Sequence, residues 1–91
     1  MEVETRQEGW KHIAEFTATQ DFNLHIEKEG QGRTYIYQRT TDSGEYASLD
    51  YYGNYLSNQI VDADFSALIY PKHIRIICEK PMTVKVTYNN D

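Results

Sequence analysis

Alternation with a period of two is the feature that most narrows the folds open to this sequence. Phe22, Leu24 and Ile26 fall on one side of an extended segment, with Asn23, His25 and Glu27 on the other. Ile74, Ile76 and Cys78 alternate with His73, Arg75 and Glu79, Ile77 being the exception, and Met82, Val84, Val86 and Tyr88 alternate with Thr83, Lys85 and Thr87. A strand sends successive side chains to opposite faces, so these runs predict half-buried strands. A weaker phase puts Trp10, His12, Ala14 and Phe16 opposite Lys11, Ile13, Glu15 and Thr17.

Two further strands are expected. Arg33 to Thr40 is rich in β-branched and aromatic residues, and in Glu45 to Tyr52 Tyr46, Ser48 and Asp50 oppose Ala47, Leu49 and Tyr51. Tyr55 to Asp62 and Asp64 to Ile69 read as shorter, irregular strands, and Tyr55 to Asn58 is the one candidate for a helical turn. Turn chemistry separates the segments at Glu29-Gly30-Gln31-Gly32, Asp42-Ser43-Gly44, Gly53-Asn54, Tyr70-Pro71-Lys72 and Lys80-Pro81. About seven or eight short strands at intervals of about 8 to 12 residues predict an all-β, antiparallel sandwich, jelly-roll or immunoglobulin-like.

The 91 residues suffice for a single core. Residues 1–9 lack apolar periodicity and carry three glutamates, so they are expected as a flexible N-terminal arm, with residues 10–91 forming one sandwich domain. Cys78 is the single cysteine, which excludes an intrachain disulfide and reads as a small buried hydrophobe. No apolar run approaches the roughly 18 residues of a membrane span, and the polar start is unlike a signal peptide. Neither a membrane nor a secretory route is expected.

A net charge of -5 with nine scattered basic residues argues against nucleic acid, which needs clustered Lys and Arg to displace counterions. Catalytic groups are equally hard to assemble. His12, His25 and His73 lie on three different predicted strands, away from metal-ligand spacing, and Asp62-Ala63-Asp64 lacks the rest of a calcium loop. Ser43, Ser48, Ser57 and Ser66 have no nucleophile elbow, and Glu45, Asp50, Asp62 and Asp64 lack a chain large enough to enclose a glycosidase cleft. No catalytic, metal-binding or cofactor-binding residue is expected, and the chain reads as a non-enzyme.

A binding surface remains. Tyr51, Tyr52 and Tyr55 crowd one loop beside Asp and Asn, an arrangement suited to stacking a sugar ring while polar neighbours hold its hydroxyls. Trp10, next to the expected arm, is a further docking candidate. Two of the tyrosines serve equally well as caps on the core.

Thr34-Tyr35-Ile36-Tyr37-Gln38-Arg39-Thr40-Thr41-Asp42-Ser43-Gly44-Glu45-Tyr46 resembles a pattern in small β-sandwich structural proteins of tailed bacteriophages. There a strand ends in Gln-Arg and a hydroxyl residue, a turn with Asp and Gly follows, and an aromatic opens the next strand. The later Tyr70-Pro71-Lys72-His73-Ile74-Arg75-Ile76 and Val84-Lys85-Val86 fit the same pattern, so the resemblance spans Phe22 to Tyr88, with Tyr46 standing where tryptophan is common. It implies a head, neck, tail or decoration protein, assembled in the host cytoplasm, whose partners are other virion proteins and further copies of itself. The alternative from the tyrosine loop is a carbohydrate-binding accessory module.

Overall fold

Every strongly alternating segment is a strand in the computed structural model, which describes residues 1–40 and 44–89. The strands are β1 (Glu2–Val3), β2 (Thr5–Glu8), β3 (Lys11–Ala18), β4 (Phe22–Lys28), β5 (Thr34–Arg39), β6 (Ala47–Ser48), β7 (Tyr52–Gly53), β8 (Ile60–Phe65), β9 (Lys72–Cys78) and β10 (Met82–Tyr88). Among the described residues there is no helix. The expected turn at Asp42-Ser43 lies outside the described residues.

Two five-stranded antiparallel sheets share the strands. Sheet A has the order β1-β10-β4-β8-β7 and sheet B the order β2-β3-β9-β5-β6. From β3 to β5 and again from β8 to β10 the chain changes sheet at each connection, and the opening strand lies beside the last one. Of the two windings expected, this is the jelly roll.

The inward phase of each strand supplies the core. Phe22 stacks on Phe65 with centroids 5.0 Å apart, and Phe16 meets Phe22 edge-on at 5.4 Å. Leu24, Ile26, Val61, Ile74, Ile76, Val84 and Val86 fill the space between the sheets, all essentially without solvent contact. Each such side chain contributes about 1.5–3 kcal/mol by leaving water, and with no disulfide available this burial carries the fold.

Three expectations need correction. Residues 1–9 are not a free arm: Glu2 and Val3 pair with Lys85 and Val84, Thr5 to Glu8 pair with Ala14 to Lys11, and the Met1 amino group donates to the Val86 carbonyl at 2.8 Å. Only Val3 of these strands is buried. An edge strand is held by main-chain bonds, which leave no apolar period to read. Glu45 to Tyr52 is not one strand either, because the chain leaves sheet B after Ser48 and enters sheet A at Tyr52. Conversely, the aspartates flanking Ala63 do not interrupt anything: Ile60–Phe65 is a single strand with both aspartates pointing outward and Val61, Ala63 and Phe65 inward. Tyr55 to Asn58 forms a turn in which the Asn58 amide donates to the Tyr55 carbonyl at 3.1 Å.

Buried polar groups fix the loops. The Lys28 ammonium enters the sandwich end and donates to the Gly32 carbonyl (2.6 Å), the Leu56 carbonyl (2.8 Å) and Thr34 Oγ1 (2.9 Å). It thereby ties the β4–β5 connection to the loop that carries Tyr55. At the other end, Asp21 Oδ1 accepts from the Tyr70 hydroxyl at 2.7 Å and from the Ala67 amide at 3.2 Å, holding the β8–β9 connection where Ala67 takes a positive φ of 59°. Burial, reinforced by the Asp21 carboxylate, pushes the Tyr70 hydroxyl up to about 12.

Candidate functional site

The two outer faces of the sandwich carry its chemistry, and they differ in character. Side chains opposite the core on β4, β8, β10 and β7 make one face; those on β2, β3, β9 and β5 make the other.

On sheet A the register builds rows across the strands: Thr87, Asn23, Asp64 and Tyr52 in one, Glu2, Lys85, His25 and Asp62 in the next. Asn23 Nδ2 donates to Asp62 Oδ1 at 2.6 Å and to Asp64 Oδ1 at 2.9 Å. His25 lies between carboxylates, with Nε2 3.2 Å from Glu27 Oε1 and Nδ1 3.2 Å from Asp62 Oδ2. Those bonds, Glu27 first and Asp62 second, raise the imidazole above its ordinary value. Asn23, with His25 after it, holds the Asp62 carboxyl below the usual carboxylate range. This face is acidic. Tyr52 stands beside Asp64 at 82% exposure, and Ile60, in the row of Glu27, is 48% exposed.

Sheet B presents a different surface. Arg6, Ile13, Ile77 and Tyr35 form one row, Glu15, Arg75, Tyr37 and Ser48 the next, and Thr17, His73 and Arg39 the third. Glu15 Oε1 accepts from Arg75 Nε at 2.7 Å and from Arg6 Nη2 at 3.1 Å. Partial burial pushes the Glu15 carboxyl up, but the two guanidinium bonds outweigh it and leave the group below its ordinary value. The ring of Tyr46 lies against two cations, 4.1 Å from the Arg75 guanidinium carbon and 4.4 Å from that of Arg39. Tyr35 and Tyr37 stack at 6.4 Å. Arg33, exposed immediately before β5, lies beside the Tyr35 hydroxyl, which raises its guanidinium further above its ordinary value, so all four arginines of the chain fall on this side.

The structure divides the residues singled out from sequence. Tyr52 and Tyr55 are exposed at 82% and 80% on the β7 side of the molecule. Tyr51 is half-buried, its ring tilted against Phe65 at 6.5 Å, and belongs to the core rim. Trp10 is exposed in the turn between β2 and β3, at the lateral edge opposite β7, beside a shallow depression lined by Ile13, Ile77 and Arg75. It therefore does not join the tyrosines. Sequence reasoning missed the face made by Tyr35, Tyr37, Tyr46, Arg39 and Arg75. The signal was present in the odd phase of β5 and the residue before it, where Arg33, Tyr35, Tyr37 and Arg39 alternate with the inward Thr34 and Ile36.

Among the described residues no group of three His, Cys, Asp or Glu side chains is placed to hold a metal ion. Cys78 is buried, its Sγ 3.2 Å from Thr34 Oγ1, and burial pushes its thiol up, away from the thiolate that a nucleophile requires. No helix of the described residues is long and apolar enough to cross a membrane. No protein-family model, curated protein or solved structure matches the chain.

Proposed function

We propose that this protein is a non-catalytic structural subunit of a tailed-phage virion, in the head, neck or tail or as capsid decoration, working through contacts with neighbouring subunits. The reading is supported above all by the outer face of sheet B. Tyrosine, arginine and exposed tryptophan are the residues that protein interfaces concentrate, because each covers a large area and still offers a directional polar group. Here Tyr35, Tyr37, Arg39 and Arg75 stand on strands that are braced by the core, so little side-chain and backbone freedom is lost there on docking. The phage resemblance of the Thr34 to Tyr46 segment supports the virion setting. The test is immunolabelling of phage particles from the source of this sequence: label at a fixed position on the particle is expected, and particles that never carry the protein would refute the reading.

A second reading is favoured by one observation. Tyr52 offers an exposed ring directly beside Asp64, with Asn23 and Asp62 next along, a geometry that suits stacking of a pyranose and hydrogen bonding to its hydroxyls. A glycan array tests it: binding that disappears in Tyr52→Ala supports an accessory carbohydrate-binding module, and a blank array removes it.

A further inference from the structure

The two broad faces carry opposite charge. Sheet B displays Arg6, Arg33, Arg39 and Arg75 with Lys11, against Glu8, Glu15 and Glu79. Sheet A displays Glu2, Glu27, Asp62 and Asp64 against Lys85. A chain that is acidic as a whole thus concentrates every arginine on one side of the sandwich.

We infer that the acidic face of sheet A docks on the arginine-tyrosine face of sheet B of a second copy, so that copies associate head to tail. This rests on the assembly role proposed above and names the partner. Each face also carries apolar surface to bury beside its charges. Ile60 and Tyr52 flank the acids, while Tyr37, Tyr46 and Ile77 flank the arginines. The two longest dimensions of the molecule, 31 and 28 Å, make one broad face comparable to the roughly 800 Å² that each partner contributes to a standard interface. Arginine suits the role, since its planar fork can engage a partner's carboxylates while its face stays stacked on tyrosine. Because the docking surfaces are two different patches, every copy keeps one of each free, and association closes into a ring or runs on as a stack.

Charge reversal on intact protein tests this. One variant carries Asp62→Lys with Asp64→Lys; the other carries Arg6→Glu with Arg33→Glu, chosen because these two arginines are exposed on the fold surface. Circular dichroism and thermal melting establish that both fold. By light scattering, the wild type should gain mass with concentration, and raising salt from about 20 mM to about 500 mM should weaken association at least about tenfold. Each variant alone should remain a monomer, since its two faces now share a sign. Mixed one to one, the variants should reassemble in alternation, because the unaltered arginine face of the first complements the unaltered acidic face of the second, and the two reversed faces complement each other. Overturning results are a wild type that is monomeric throughout, a single variant that associates like the wild type, or a mixture that stays monomeric. A monomeric protein that still decorates particles, and loses them on Arg6→Glu with Arg33→Glu, would assign sheet B to a different acidic subunit, ending the head-to-tail inference while keeping the virion role. Stacking by a protein absent from every particle would do the reverse.

Discussion

Lys28 Nζ lies 2.9 Å from Thr34 Oγ1 inside the end of the sandwich, and Thr34 Oγ1 in turn lies 3.2 Å from Cys78 Sγ. Lysine is costly to bury, and burial lowers the ammonium's affinity for its proton here. The group stays because it satisfies two loop carbonyls and a hydroxyl at once. Lys28→Ala should therefore cost about 2–4 kcal/mol, the combined loss of charge-assisted bonds and buried stem. Urea unfolding measures the cost, and hydrogen exchange should quicken at residues 54–59, whose loop loses its anchor. Unchanged exchange there would show that the loop is held by something else.

Gly53 is fixed by close approach. A Cβ at this position would fall on the Asp62 carbonyl and 2.8 Å from Ala63 Cα. Gly53→Ala should push β7 off β8 and destabilise the protein by about 1–3 kcal/mol. The local effect should exceed the global one: Tyr52 would lose its position beside Asp64, visible as altered amide shifts for residues 52–54 and 62–64.

His25 gives a pH signature. Its pKa is raised above the ordinary 6.5 by Glu27 and Asp62, so the folded state holds the proton more tightly than the unfolded chain. The contribution is fully present below 6.5 and fades as pH rises through the folded value. Solvent screening keeps it to about 0.5 kcal/mol. Comparing wild type with His25→Gln by denaturant titration should show the difference at pH 6 and its disappearance in alkali, and an NMR titration should place the imidazole above 6.5. A His25 that titrates below 6.5 would contradict the geometry.

Cys78 should be silent to thiol reagents in the native state. Its side chain has no solvent contact and its thiol is disfavoured as thiolate by burial. Labelling should proceed at the rate of opening rather than of chemistry, and Lys28→Ala should speed it by loosening the same end of the core. Fast labelling of wild type, at the rate of an unfolded thiol, would be inconsistent with this packing.

How much of this was legible beforehand follows from where each segment packs. Strands lined on one side by core, such as β4, β9 and β10, announce themselves because each inward residue must be apolar. Trp10 to Thr17 kept the right inward phase for His12, Ala14 and Phe16, although Ile13 looked like an interruption: it is an outward residue that Arg6, Ile77 and Tyr35 surround. The edges were opaque. Glu2 to Glu8 is held by main-chain hydrogen bonds, which any sequence can make, so polarity there resembled a loose arm. The Asp62-Ala63-Asp64 triplet looked like a break between two short strands for the opposite reason, since its aspartates face water from a strand whose other face is well buried. Of the candidate surface, Tyr52 and Tyr55 are exposed, Tyr51 is core rim and Trp10 is at the far edge. Distinguishing them required knowing that the chain changes sheets between Ser48 and Tyr52, which no local pattern encodes.

The winding also sets a timetable. β10 is an inner strand of sheet A, flanked by β1 and β4, and the Met1 amino group bonds to Val86. On a ribosome the residues made first would wait, with β1 and the inner side of β4 unpartnered, until residues 82–88 had emerged. β3 would likewise wait for β9. Pairings of such large sequence separation fold slowly, and the waiting strands expose their edges to any neighbouring nascent chain. Yield at high expression would then depend on translation spacing and temperature more than on native stability, and slower synthesis at lower temperature should raise the soluble fraction without changing the midpoint of unfolding.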